Sequence, residues 1–281
     1  MMKKKLVRYL IVIFSVVAMI VAIVKLVSDN KKCNTYLALG DYLSVSGSLK
    51  GERIDSFSTI LGDYLVKSDL VSSVNNSYTS SSINSELLLE MICKDAYSGN
   101  DSGLVSAIKD SKYITISVGM NDILQYLRFD SNKQEIVYDK EYIKRKLEIM
   151  KQNYYEIVEN IKEINGDVNI YLMSYYCPFT WVREDNIDSV KEVFNLLNDS
   201  IKEVSELMDV YYVDISEVSK EENMFSKYQV YLNELGHEYI FSVFRNNYFN
   251  WFNIFLIKDK NNYGEINERE NIIYCDECFI L

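Results

Sequence analysis

Beyond residue 33 the chain alternates short apolar runs with longer stretches in which apolar residues recur every three or four positions. The runs at 35–39, 70–74, 113–118, 168–173 and 210–214 have the length and the polar flanks of strands. The stretches at 54–67, 84–93, 141–164, 187–208 and 234–246 carry the helical period. Strands interleaved with helices in this way predict a parallel α/β sheet whose right-handed crossovers cover both faces. The segment 72–85, rich in Ser and Asn, reads as a loop leaving the second strand. Pro178, the only proline, follows the fourth strand, where a loop is expected.

A different pattern precedes all of this. Residues 6–27 are almost unbroken apolar sequence, long enough to span a bilayer, with Arg8 and Lys25 near the ends where their stems can reach the headgroups. Lys3, Lys4, Lys5 and Arg8 place the short amino terminus in the cytoplasm by the positive-inside rule, although Lys25, Lys31 and Lys32 reduce the asymmetry. A retained anchor is favoured over a cleaved signal peptide because the stretch exceeds an ordinary h-region and no small-x-small site clearly follows it. Cys33 follows Asn-Lys-Lys, which does not suit lipidation. The expected organisation is therefore a stub and anchor over 1–32, one domain over 33–247 and an aromatic extension over 248–281. The protein would sit in the cell membrane as a single-pass chain with its carboxyl-terminal domain outside the cytoplasm.

Composition adds limits. The 281 residues, 48% hydrophobic and 25% charged, suffice for one well-buried core. Residues 1–32 hold seven cations against Asp29, a net +6, which leaves −17 on residues 33–281 of the chain's −11. That charge disfavours nucleic acid, and no basic, aromatic-interleaved patch appears. Five scattered cysteines do not make a disulfide framework. Cys275 and Cys278 form a lone CxxC without a second metal-binding pair, so an ordinary tail is favoured over half a zinc site or a disulfide. The aromatic cluster Tyr248, Phe249, Trp251, Phe252 and Phe255 is read as packing on the domain rather than dipping into a lipid interface. Neither a cofactor nor a metal is expected.

Three segments carry the candidate chemistry: Ala38-Leu-Gly-Asp-Tyr-Leu-Ser44 at the end of the first strand, Ser117-Val-Gly-Met-Asn-Asp122 after the third, and Asn233-Glu-Leu-Gly-His-Glu-Tyr-Ile240 opening the last helix. In order and spacing they resemble the SGNH or GDSL hydrolase family across most of residues 34–247. The resemblance implies a three-layer, flavodoxin-like α/β fold with a five-stranded parallel sheet, here preceded by one transmembrane helix. It also implies esterase, lipase or acetylhydrolase chemistry on lipids or glycans. Carried over by position, it puts the nucleophilic serine at Tyr42, the oxyanion glycine at Ser81, the oxyanion asparagine at Asn121, the catalytic aspartate at Tyr228 and the catalytic histidine at Tyr231. The segment Tyr175-Tyr-Cys-Pro-Phe179 is similar to an aromatic loop of some members, with Cys177 in the place of an asparagine.

Acyl transfer needs a nucleophile, a base to activate it and a group to orient the base. Three tyrosines fill none of these roles, since an ordinary phenol titrates near pH 10. A rival register pairs Glu234 with His237, the only histidine, and Ser44 offers a displaced hydroxyl, read rather as a turn or cap residue. Asp41 and Asp122 read as loop-holding residues. Asn121 is either an oxyanion donor or a tie between loops. The expectation is an inactive family member that binds a cell-envelope ligand, glycan or lipid, or a partner through the former cleft. The alternative is an ester hydrolase using a non-standard residue set.

Overall fold

The computed structural model describes Met19 and residues 34–49, 52–98, 103–179, 181–220, 224–225 and 230–249. Five strands form one sheet: β1 (Thr35–Gly40), β2 (Ser73–Thr79), β3 (Ser111–Ser117), β4 (Asn169–Met173) and β5 (Tyr211–Val213). All pairs are parallel and the order is β2-β1-β3-β4-β5. This is the doubly wound order whose strand reversal lies between β1 and β3, where a crevice opens at the carboxyl edge. The inner strands β1, β3 and β4 are buried on both faces, which explains their continuous apolar runs. Tyr36 and Thr115 share a buried hydroxyl contact of 2.8 Å between β1 and β3, which pairs these two polar groups of the core.

The helices are α1 (Phe57–Lys67), α2 (Ser85–Cys93), α3 (Leu104–Lys109), α4 (Met120–Ile123), α5 (Lys140–Ile164), α6 (Glu184–Leu207) and α7 (Glu234–Phe244). Asp139 caps α5 by accepting from the Tyr142 N–H at 3.0 Å. Along α5, Ile143, Leu147, Met150, Tyr154, Ile157, Val158 and Ile161 are buried at three- and four-residue spacing. Burial of each such side chain is worth about 1.5–3 kcal/mol against exposure. α5 packs against α2 and α6, and α1 packs on β1 and β2. Tyr64 of α1 meets Phe241 of α7 edge to face, with ring centroids 5.5 Å apart.

The expected second strand is displaced. Leu70 and Val71 are buried in the turn that ends α1, and β2 runs through the polar segment Ser-Val-Asn-Asn-Ser-Tyr-Thr that the pattern assigns to a loop. β2 lies at the sheet edge with β1 as its one neighbour, so most of its side chains meet solvent and need not be apolar. Tyr78 is its one fully buried residue. Helices α3 and α4 and two hairpins, Gly47–Leu49 with Glu52–Ile54 and Arg128–Asp130 with Glu135–Val137, are too short for periodicity to register.

The chain divides into two compact units between Phe241 and Ser242. In the second, a π-helical turn spans Arg245–Phe249, and Phe244 and Tyr248 place their rings 5.9 Å apart. Among the described residues no helix is long and apolar enough to cross a membrane. The apolar stretch 6–27, apart from Met19, and the tail beyond Phe249 with Cys275 and Cys278 lie outside the described residues.

Candidate active site

β1 delivers its last residues to the crevice by passing very close to β3. A Cβ on Gly40 would stand 2.1 Å from Ser117 Oγ and 2.5 Å from the Ser117 carbonyl oxygen. Glycine alone permits that approach. The Asp41 N–H then donates to the Ser117 carbonyl at 2.7 Å. Asp41 caps the 3₁₀ turn Tyr42–Ser44, with Oδ1 accepting from the Leu43 N–H at 3.0 Å. Its other oxygen, Oδ2, accepts from the Tyr175 hydroxyl at 2.6 Å. Asp41 is wholly buried, and burial pushes its carboxyl up to about 7 against the favourable Tyr175 and Leu43 hydrogen bonds.

Tyr42 therefore stands where the turn presents a side chain to the crevice, but its ring is buried, only 7% exposed. Its hydroxyl donates to the Tyr176 hydroxyl at 3.2 Å, and Tyr176 donates to the Val230 carbonyl at 3.1 Å. The Tyr231 ring closes over Tyr42 edge to face, centroids 4.8 Å apart, and is itself half exposed. Desolvation, reinforced by Tyr176 and Asp41, drives the Tyr42 phenol well above its usual range. The proton relay from Tyr42 ends on a backbone carbonyl, which cannot act as a base. Of the expected triad positions, Tyr42 and Tyr231 come together; Tyr228 lies outside the described residues.

Asn121 sits in the first turn of α4, immediately after the β3 loop. Its amide nitrogen donates to the Ser81 carbonyl at 2.9 Å and to the Ile83 carbonyl at 2.8 Å. A side-chain amide has two N–H donors, so both are committed to the loop after β2 and neither is left for an oxyanion. Ser81 is exposed and contributes its carbonyl to this tie. Asp122 reinforces the same seam: Oδ2 accepts from the Ser85 N–H at 3.0 Å and Oδ1 from the Ser85 hydroxyl at 2.5 Å. The Asp122 carboxyl is raised by burial, partly offset by those Ser85 bonds.

The rival residues are occupied elsewhere. Ser44 is buried, its hydroxyl 2.7 Å from the Ser117 hydroxyl, while its carbonyl accepts from Ser56 and Ser58 at the start of α1. His237, in the first turn of α7, accepts the Phe57 N–H on Nδ1 at 3.3 Å. That donor is among the first of α1, which no intrahelical carbonyl can reach. Burial lowers the His237 imidazole to about 4, so it is neutral at pH 7. Glu234 is exposed and forms no hydrogen bond with His237. Asn233, not Glu234, organises this helix start, its side chain accepting from the Gly236 N–H at 3.1 Å.

Tyr175 and Tyr176 complete the site although motif spacing assigns them no role there. Both follow β4 at the same sheet edge, which is the signal that places them. Asn198 holds the Tyr175 backbone from both sides, accepting its N–H and donating to its carbonyl, each at 2.7 Å. Among the described residues no cluster of three or more His, Cys, Asp or Glu side chains could hold a metal ion.

The family model for GDSL-like lipases and acylhydrolases matches residues 55–239, a span that begins after the Tyr42 turn. Among solved structures, the lipase Lip_vut3 from a goat rumen metagenome aligns with TM-score 0.60 and 20% identity, covering 75% of this chain and 96% of its own. A putative GDSL-like lipase from Parabacteroides merdae gives 0.56 and 13% over 77% and 95%. Axe2, an acetylxylan esterase from Geobacillus stearothermophilus, gives 0.53 and 15% over 76% and 93%. No curated protein matches the sequence.

Proposed function

Because the chain belongs to the GDSL-like lipase/acylhydrolase family and carries a buried phenol at the position of that family's nucleophile, we propose that it is a catalytically inactive member. In this reading a membrane anchor over residues 6–27 holds the domain outside the cytoplasm. There the face around Tyr231 binds a cell-envelope ligand, a glycan or lipid, or a partner protein. One observation carries the loss of activity: the Tyr42 hydroxyl donates to Tyr176 and through it to the Val230 carbonyl, with no imidazole or carboxylate accepting its proton. Acyl transfer through that oxygen has nowhere to send the proton. The committed amide of Asn121 removes transition-state stabilisation as well.

Binding at this place is supported by the half-exposed Tyr231 ring, braced from below by Tyr42 and carrying a hydroxyl at its tip. An aromatic face with a polar edge suits a sugar ring. For the chain to be an active ester hydrolase, Ser44 would have to leave Ser117 or His237 would have to leave the start of α1. The test uses the purified full-length chain in detergent with a chromogenic acetyl ester and a cell-wall glycan pull-down. No turnover above buffer is expected, together with glycan retention that Tyr231→Ala weakens. Saturable acetate release abolished by Ser44→Ala or His237→Ala would reverse the reading.

A further inference from the structure

A second concave site lies on the element that follows Asn121. It is a cavity of about 390 Å³ lined by Gln125, Tyr126, Arg128, Val137, Tyr138, Asp139 and Tyr142. It falls within the ordinary range for small-ligand pockets, about 300–1,000 Å³. Its walls come from the turn after α4, the hairpin Arg128–Asp130 with Glu135–Val137, and the start of α5. None of these residues belongs to the constellation around Tyr42.

The walls are held in place. Asn186 grips the hairpin at Ile136, accepting its N–H at 2.7 Å and donating to its carbonyl at 3.3 Å. The Tyr138 hydroxyl donates to the Ser189 carbonyl at 2.6 Å. Tyr126 and Tyr142 meet edge to face at 4.9 Å, and the Lys146 ammonium stands 5.5 Å from each ring centroid. This order reduces the entropy lost when a ligand binds.

The polar groups of the cavity are only partly used. Arg128 is exposed and forms no ion pair among the described residues. Asp139 spends one carboxylate oxygen on the Tyr142 N–H. Gln125 directs its amide nitrogen at the Asn121 carbonyl, a long 3.4 Å contact, leaving its own oxygen as an acceptor. The site thus offers a donor fork, a carboxylate and an amide oxygen beside phenolic rings. An anion would meet the Asp139 carboxylate; a cation would meet Arg128. A neutral polyol satisfies both signs, since each hydroxyl donates and accepts. Its C–H faces also lie favourably on the negative faces of aromatic rings.

We infer that this cavity is a binding subsite for a neutral saccharide, separate from the face around Tyr42 and Tyr231. The assignment holds whether or not the Tyr42 site has lost its chemistry. The test is saturation-transfer NMR and calorimetry on the full-length chain in a polyoxyethylene detergent, which has no sugar headgroup to compete. The probes are cellotriose and triacetylchitotriose, with glucose 6-phosphate and choline as charged counterparts. At least one neutral trisaccharide is expected to bind, and Arg128→Ala and Tyr142→Ala are each expected to weaken it by about tenfold or more, with Tyr97→Ala, an exposed ring that does not line the cavity, leaving it unchanged. Thermal unfolding of Arg128→Ala matching the parent chain assigns its loss to the contact rather than to the fold. The inference is overturned if neither trisaccharide binds, if a charged probe binds in preference, or if affinity ignores Arg128→Ala and Tyr142→Ala.

Discussion

Two buried titratable groups pull the pH dependence of stability in opposite directions, and separating them tests the electrostatics of the site. Asp41 is fully buried and its carboxyl rises from 3.8 to about 7 on folding. Between those values the folded chain binds more protons than the unfolded one, so its stability falls as pH rises. About three pH units at about 1.4 kcal/mol each bring the effect to about 4 kcal/mol. His237 behaves inversely. Its imidazole falls from 6.5 to about 4, so the unfolded chain binds the extra proton and stability rises with pH across that window, by about 3 kcal/mol. In the parent chain these slopes nearly cancel. Asp41→Asn keeps an oxygen for the Leu43 N–H and an amide beside the Tyr175 hydroxyl without titrating. His237→Asn keeps an acceptor near the Phe57 N–H, also without titrating. Urea unfolding measured from pH 4 to 8.5 should show Asp41→Asn gaining on the parent by about 4 kcal/mol between pH 4 and 7, then holding level. His237→Asn should gain on the parent as pH falls from 6.5 to 4. Differences that stay flat over these windows, or slopes of the opposite sign, would refute the assignment of these groups as buried without a compensating charge.

Two further outcomes probe the supports of the site by the same unfolding assay. Gly40→Ala would press a methyl group against the Ser117 carbonyl, 2.5 Å away, where only parting β1 from β3 relieves it; a loss of about 3 kcal/mol or more is expected, and a neutral substitution would contradict the close crossing. Tyr154→Phe removes a hydroxyl that donates to the Val118 carbonyl at 2.6 Å and accepts the Val118 N–H at 3.3 Å, both buried; it should cost about 1–3 kcal/mol, whereas Tyr97→Phe, 72% exposed, should change nothing measurable.

Much of the architecture is legible because burial on both faces forces the inner stretches of β1, β3 and β4 to be largely apolar, and α5 to carry a buried residue at every third or fourth position. Strand β2 escapes the same reading for a physical reason: at the sheet edge it needs backbone partners on one side only, and Ser73, Asn75 and Ser77 serve as well as valine there. The site is legible at its motif residues and opaque at their partners. Tyr42 and Tyr231 lie far apart in sequence and meet in space. Local pattern gives no hint that Tyr175 would neutralise the need of Asp41 for a donor, or that His237 would serve the first turn of α1 across 180 residues. Such long-range hydrogen bonds leave no periodic trace in sequence.

Four residues of the motif segments share one property: each holds backbone. Gly40 permits the crossing of β1 and β3, Asp41 caps the turn at Leu43, Asn121 ties down the carbonyls of Ser81 and Ile83, and Asp122 anchors the start of α2. At Tyr42 the space beside the turn is filled by a buried ring whose hydroxyl is satisfied. A core position loses stability when it is left hollow or its polar atom unpaired, and a large side chain that finds a partner avoids both costs. Tyr42, Tyr176 and the Val230 carbonyl meet both conditions, while the loop-holding residues fix the backbone around them.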